Sequence, residues 1–462
     1  MKKIFYLAAL LLTMTSCSGW FDTEPNDGSA SENVFNSETS FRDYMNSIYC
    51  ILAGEDLYGE QITITSEVMG GTLDVSDYDN YVDLAKFTFA DADNVAYAEA
   101  IYTRLYRAIY GCNDILRLFE SNSDVSFVSG SKEMMMAEAK ALRAFLHMEL
   151  ARLFLVSPAA MDDAQTLYWA ESIDQLGTKM TATEIYEKAV EELEAAAAVL
   201  EVNDPIVNGE DYNENSLLGA SPEERVWKLN YYAVQAVKAR ALLSVATEDA
   251  AAEALTTLQG IISSEAYSFV KTISNKDYAF SAEYLFALPS TSYGTTFSEV
   301  NEELYVNKGI MVTSTVDKDG MYEDDRRRYW IDDNNSLSVK FDESNTLDSW
   351  GISPAIPVVK YGEVYLMAIE AAINSNNLST AISLYNAFIT ERNSSSYVLD
   401  SSADEALVQA ALDSQFVYEF LGEGVRYQYL KRNNMSAEAF DGTTITNFGE
   451  KVFGADLSQL IK

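Results

Sequence analysis

The stretch Glu363 to Phe388, EVYLMAIEAAINSNNLSTAISLYNAF, decides the fold. Its first half carries small and apolar residues at helical spacing, Asn374 to Asn377 interrupt the pattern, and Ala381, Ile382, Leu384, Tyr385 and Phe388 resume it. Apolar residues at steps of three and four mark one face of a helix, so two such runs around a short polar break read as a helical hairpin. Small residues let the two helices approach closely, and the larger ones are left to meet the next pair. One hairpin cannot bury its apolar face alone, so neighbours are required.

The hairpin resembles a tetratricopeptide unit, and working outward from it supplies the neighbours. Tyr231 to Val245 and Ala250 to Ile262 form a related pair joined by the short turn ATED. Thr183 to Leu200 carries Ile185, Tyr186, Ala189, Leu193 and a polyalanine face. In Ala137 to Leu155 the residues Leu142, Phe145, Leu146, Leu150, Leu153 and Phe154 make a wide apolar stripe, and Ala137, Ala139, Ala141 and Ala144 allow a second helix to come close. That pattern predicts a core helix. Tyr97 to Phe119 and Thr39 to Leu52 repeat apolar residues at the same period. No clean tandem period runs through the chain, so a regular solenoid is not expected. The expected fold is mostly α: tetratricopeptide-like helical hairpins with long irregular loops and short strands.

Two regions lack the helical period. Between Ala266 and Pro357 the glycines Gly294, Gly309, Gly320 and Gly351 and the prolines Pro289, Pro354 and Pro357 punctuate a stretch rich in Tyr, Ser, Thr and Asp. Gly54 to Asp93, which contains GGTLDVSDYDNYVD, reads the same way. Long irregular segments inside a compact protein usually carry function.

The N-terminus has its own logic. Lys2 and Lys3 precede an apolar run from Ile4 to Leu12, far shorter than the ~20 residues that span a bilayer, which is the pattern of a secretory leader over residues 1–16. Thr15 and Ser16 place small side chains just before Cys17, as in a lipobox, although Met14 stands where leucine is commonest. The expectation is that Cys17 becomes the acylated first mature residue; the alternative is an ordinary leader with an incidental cysteine. Residues 17–36 lack any hydrophobic period and read as an acidic tether, leaving residues 37–462 as the body.

The full chain of 462 residues has 32 basic and 71 acidic side chains, and loss of Lys2 and Lys3 with the leader takes the formal charge from −39 to −41. Such a surface excludes nucleic acid as a partner and is repelled by anionic headgroups, so membrane attachment must come from acyl chains alone. A bridge between Cys50 and Cys112, worth about 4 kcal/mol for a loop of that size, and buried free thiols fit the sequence equally. Tyrosine is abundant, at 29 against 5 tryptophans, and its amphipathic ring suits surfaces that meet polar ligands.

The sequence offers little catalytic chemistry. The only histidine, His147, lies inside the core helix and reads as structural. There is no G-x-S-x-G elbow, P-loop or H-E-x-x-H, and Gly422-Glu423-Gly424 lacks the third glycine of a dinucleotide fingerprint. The acidic run Asp74, Asp77, Asp79 and Asp83 misses the EF-hand spacing and reads as a solvated loop. No enzyme activity, metal or bound cofactor is expected.

The order of the pieces resembles the SusD/RagB family of outer-membrane lipoproteins, found beside TonB-dependent transporters. The resemblance rests on the lipobox with FDTEP, then AYAEAIYTRLYRAIYGCNDIL, AEAKALRAFLHMELARLF, TATEIYEKAVEELEAAAAVL, VVKYGEVYLMAIEAAI and YEFLGEGVRYQYLKR. It covers nearly the whole chain and implies one SusD-like domain. In it Arg143 pairs with a carboxylate while Phe145 packs, and Glu419, Gly422, Glu423, Gly424 and Arg426 serve as scaffold. Tyr429-Leu430 stands where the family usually has Asp-Leu, and Asp325-Arg326 resembles a degenerate Asp-x-Arg turn.

The resemblance further implies a surface receptor that captures a nutrient, a glycan or in some members a peptide, and passes it to a SusC-like TonB-dependent barrel. Sugar rings have apolar C–H faces and polar rims, so aromatic loop residues are the expected contacts: Tyr58, Tyr78, Tyr81, Tyr293, Trp330 and Trp350. Each could equally be a ring packed under its own loop. A helical-repeat scaffold for a protein or peptide, and a surface glycosidase with two positioned carboxylates, are the alternatives.

Overall fold

The computed structural model describes residues 34–89, 91–161, 165–209, 222–272, 277–289, 355–394 and 397–454, together with Arg327, Trp330 and Lys340. The leader, Cys17, most of the tether, Tyr293, Asp325, Arg326 and Trp350 lie outside the described residues. Five helices come first: α1 (Glu38–Leu52), α2 (Gln61–Met69), α3 (Asp79–Ala85), α4 (Ala92–Ser121) and α5 (Ser131–Phe154). A short antiparallel ribbon of β1 (Leu167–Trp169) and β2 (Thr178–Met180) follows, then α6 (Ala182–Asn203), α7 (Tyr231–Val245) and α8 (Glu248–Ser263). A second antiparallel ribbon, β3 (Tyr284–Leu288) with β4 (Ile356–Lys360), leads into α9 (Tyr361–Asn374), α10 (Leu378–Glu391), α11 (Glu405–Glu419) and α12 (Val425–Arg432). Strands β5 (Ala437–Glu438) and β6 (Thr444–Ile445) close the described chain as a third ribbon.

The fold is mostly helical, as expected. From α4 to α10 each long helix packs on the next in sequence, and α9 also packs on α11. That is how the hairpin pattern finds its neighbours. The deciding hairpin is α9 and α10. Asn376 turns it in the left-handed region at φ 57, which asparagine tolerates, and the Asn377 side chain accepts the Thr380 N–H to cap α10. Helix α6 begins with a capping box in which Thr181 accepts the Glu184 N–H at 3.3 Å and Glu184 accepts the Thr181 N–H at 2.8 Å. Helix α5 is buried over most of its circumference, consistent with its wide stripe.

Residues 54–93 correct the sequence reading. Instead of a long irregular loop they contain α2 and α3, and α2 is buried from Ile62 to Met69. A helix covered on every side has no need of a polar face, so its sequence shows no amphipathic period. The C-terminal segment supplies the cover: Gly422 and Gly424 donate their N–H groups to Glu67 on α2, at 2.9 and 2.7 Å. Gly424 has φ +69, and a Cβ there would stand 2.9 Å from the Thr63 carbonyl, so only glycine fits this approach.

Of the charges read from sequence as scaffold, Glu419 and Glu423 pair with other elements, and Arg426 donates to the Gly70 carbonyl at the end of α2. Arg392 donates to both oxygens of Glu283 at 2.7 Å and to Glu419 at 3.0 Å, all fully enclosed. Arg240 is held by Glu363 at 2.6 Å, Arg225 by Asp204 and Glu138 at 2.9 Å, and Glu423 by Lys340 and Lys360 at 2.6 and 2.8 Å. Two-pronged guanidinium–carboxylate geometry of this kind is what lets charge be buried. Tyr429, in the family's aspartate position, donates its hydroxyl to Asp413 on α11. Among the described residues no disulfide forms: Cys50 is exposed and Cys112 is buried, its thiol pushed up to about 12 by burial.

Candidate functional site

The expected ring residues separate into three groups. Tyr58 and Trp330 are corrected by the structure: Tyr58 is 8% exposed and stacks on Phe145 at 6.1 Å, and Trp330 is 0% exposed. The Trp330 indole donates to the Tyr278 carbonyl, with the Lys340 ammonium 3.8 Å from its ring. Both rings are packing, because a phenol or indole that finds a polar partner indoors gains its whole apolar area from burial. Tyr78 and Tyr81 are half-buried beside α3. Tyr293 and Trp350 fall outside the described residues. The acids near Tyr78 serve local turns: Asp74 accepts the Ser76 N–H at 3.0 Å, and Asp83 accepts Asp91 N–H and the Asn94 amide at 3.0 and 3.1 Å.

A ring-lined cleft forms elsewhere, between α4 and the segment 168–176. Its volume is about 460 Å³, within the range of small-ligand pockets. One wall is Tyr102, Tyr106 and Tyr110, spaced four apart on α4; the other carries Tyr168, Ser172, Gln175 and Leu176. Four residues make slightly more than one helical turn, so the three phenols follow one side of α4 at intervals of about 6 Å. Tyr102 and Tyr106 lean together at 5.0 Å between centroids, and Tyr110 is 50% exposed. Burial pushes the Tyr102 and Tyr106 phenols up, so they stay neutral at physiological pH.

The second wall is held in place by buried polar contacts. Tyr106 donates its hydroxyl to the Tyr168 carbonyl at 2.9 Å, and Asn113 donates to the Ala170 carbonyl at 2.9 Å. His147, on α5 beneath the cleft, accepts the Ala170 N–H at Nε2 at 3.0 Å and stacks on Trp169 at 4.1 Å. With Nε2 accepting, the proton sits on Nδ1 and is donated to the Arg143 carbonyl at 2.8 Å. Burial pulls the His147 imidazole down to about 3, so it is neutral. Arg143 itself bonds Asn113 at 2.9 Å and pairs with Glu192. The structural histidine and the arginine–carboxylate pair expected from sequence thus act together, fixing the strand that faces the tyrosines.

Chemically the cleft offers ring faces, phenol hydroxyls and side-chain amides, and among the described residues its lining contains no carboxylate. Stacking and hydrogen bonding to a neutral hydroxylated ligand are what such groups do. A second concavity of about 360 Å³ lies beside α10 and α11 and presents Tyr385, Tyr397, Tyr418 and Gln415. Among the described residues no cluster of His, Cys, Asp and Glu has the arrangement of a metal site, and no helix is long and apolar enough to cross a membrane.

The signal for the cleft was present in AIYTRLYRAIY, where the tyrosines recur every four residues. Attention to the apolar face of the same helix passes over it.

Comparison with known proteins follows the fold. The sequence profile described as SusD family matches residues 223–452, and one described as starch-binding associating with outer membrane matches residues 19–205. The chain is similar to the crystal structure of a SusD-like carbohydrate binding protein from Bacteroides vulgatus ATCC 8482, at 16% identity, covering 92% of this chain and 96% of that one, with a TM-score of 0.68. A SusD superfamily protein from Bacteroides fragilis matches at 17% identity over 93% of this chain and 98% of its own, TM-score 0.70. Another from Bacteroides thetaiotaomicron VPI-5482 matches at 17% over 92% and 97%, TM-score 0.69. At such identities the likeness is one of fold. No curated protein matches the chain.

Proposed function

Because the chain belongs to the SusD/RagB family, we propose that it is a surface-exposed outer-membrane lipoprotein that binds a glycan or oligosaccharide and delivers it to a SusC-like TonB-dependent transporter. In this reading residues 1–16 are removed, Cys17 carries the lipid, residues 17–36 are the tether and the helical body does the binding. The observation that carries the proposal is the tyrosine cleft between α4 and segment 168–176. Its rings can cover the C–H faces of a sugar, and its neutral hydroxyls and amides can meet the hydroxyl rim. Tyr78 and Tyr81 are proposed as further contacts, as are Tyr293 and Trp350. Capture followed by transfer needs no bond-breaking group.

Affinity electrophoresis of the soluble body through gels containing a panel of polysaccharides and peptides tests the ligand. Retardation by a neutral polysaccharide, weakened by Tyr110→Ala, is the expected result; retardation by peptides alone would overturn it. Detergent extraction of outer membranes and pull-down on the native protein tests the partner, with a co-purifying TonB-dependent barrel expected.

A further inference from the structure

A small cavity lies inside the frame, away from the cleft. It has a volume of about 20 Å³, and its lining includes Glu149, Arg152, Arg240, Lys431 and Arg432, all buried. That space is of a size for a single water or a monatomic ion. Its cations are unequally served. Arg152 is held by Glu149 at 2.5 Å and Arg240 by Glu363 at 2.6 Å, and Arg432 bonds Glu370 at 2.7 Å through Nε. Lys431 is different. Its Nζ donates to the Lys451 carbonyl and lies 3.4 Å from the Tyr427 hydroxyl, both neutral oxygens, and it forms no ion pair among the described residues.

The second observation is independent of the first. Nη1 of Arg432 is buried and has no hydrogen-bond acceptor among the described residues. A guanidinium N–H left without a partner in the interior costs about 1–3 kcal/mol or more. Four cations therefore line this space, and among the described residues three carboxylates, Glu149, Glu363 and Glu370, pair with them. A buried ammonium without a counter-charge must either lose its proton or recruit an anion. Burial, with Arg152 nearby, pushes the Lys431 ammonium well below its usual range. A neutral Lys431 with a water accepting from Arg432 Nη1 is the competing arrangement, and it leaves the cavity with the charge of three cations against three carboxylates. One monatomic anion answers both Lys431 and Arg432.

We propose that a halide-sized anion, chloride in the cell's surroundings, occupies this cavity as the counter-ion of Lys431 and the acceptor for Arg432 Nη1. The site is unusual for a chain of formal charge −39, whose surface field repels anions. It therefore fills because of local charge imbalance and not through general attraction. The ion links α5, α7 and α12, which supply Arg152, Arg240 and Lys431.

Crystals of the protein grown with sodium bromide test the assignment through the anomalous signal of bromide. A peak in the cavity beside Lys431 and Arg432 is expected; an ordered water there with no anomalous signal would overturn the proposal. In solution, the melting temperature in sodium chloride should exceed that in sodium gluconate at equal ionic strength by about 1–3 °C. Lys431→Met, which removes the surplus charge, should abolish that difference. If the variant retains the chloride preference, the ion acts elsewhere and the assignment fails. If the variant does not fold, the bromide map decides alone.

Discussion

The junction of α9 to α12 and the cleft beside α4 handle polar side chains in opposite ways. At the junction, Arg392, Glu283 and Glu419 are enclosed and hold one another. In the cleft, Tyr110 is half exposed and Tyr102 and Tyr106 are half-buried, and the polar bonds that hold the opposite wall run through Asn113, His147 and Arg143. One region converts charge into a fixed frame. The other uses a fixed underside to present an adaptable face, as a binding surface built on a scaffold requires.

The largest effect that would test this contrast is at Arg392. Arg392→Met takes the two-pronged partner from Glu283 and Glu419 in the interior, leaving Glu419 with Arg327 at 3.3 Å and Lys360 nearby. Removing one side of a buried ion pair costs about 3–5 kcal/mol, so the urea midpoint should fall sharply. A loss below about 1 kcal/mol would show that the junction is hydrated and that the contrast is false.

His147 connects the frame to the cleft, and its titration sharpens the picture. Its folded pKa is depressed to about 3 from an ordinary 6.5, so the unfolded chain binds a proton that the folded one refuses. The stability this neutral ring contributes is present above pH 6.5 and is lost as pH falls toward 3. Because the unfolded imidazole is already half protonated at pH 6.5, the loss between pH 6.5 and 5 is about 1.6 kcal/mol. His147→Phe keeps a ring against Trp169 but cannot titrate. The stability gap between wild type and variant, measured by denaturation at both pH values, should shrink by that amount on acidification. A constant gap would mean that the ring is protonated in the fold.

Much of the frame was legible in the chain, and the reasons for the rest are physical. Helices α5, α9 and α10 were readable because each keeps an apolar face at helical period. Helix α2 was not, because it is nine residues long and its Ile, Thr and Val side chains are β-branched, which weakens the helical signal in so short a run. The pairing of Glu419 with Arg392, and of Glu423 with Lys340 and Lys360, joins residues far apart in sequence, which local spacing cannot foresee. The cleft shows both cases. Its tyrosine row was visible in α4, but the opposite wall depends on β1, a strand of three residues held by a histidine on another helix. Aromatic residues chosen from loop composition included Tyr58 and Trp330, which are packed inside, because composition reports that rings are present and not which way they face.

In the cleft the expected effects are on binding and not on stability. Tyr110 is half exposed, so Tyr110→Ala should change the unfolding free energy by no more than about 0.5 kcal/mol. Loss of one stacking ring should weaken retention on the bound polysaccharide by about 1 kcal/mol, roughly fivefold. Equal retention by variant and wild type would place the ligand elsewhere, with the second concavity at Tyr385, Tyr397 and Tyr418 the next to test.

The smallest predicted effect isolates what makes the junction strong. Arg104 meets Asp56 at 2.7 Å, the same separation as Arg392 and Glu283, but its side chain and that of Asp56 are 42% and 43% exposed. Distance is therefore matched and solvent access is not. Water screens the exposed pair and satisfies either partner when the other is removed, so Arg104→Ala should cost less than about 0.5 kcal/mol and the cost should vanish in high salt. Arg392→Met should keep most of its cost in the same salt, because mobile ions do not reach an enclosed carboxylate. Similar costs for the two variants in denaturant titrations would mean that contact geometry, not enclosure, sets the energy of these pairs, and the division between frame and cleft would lose its basis.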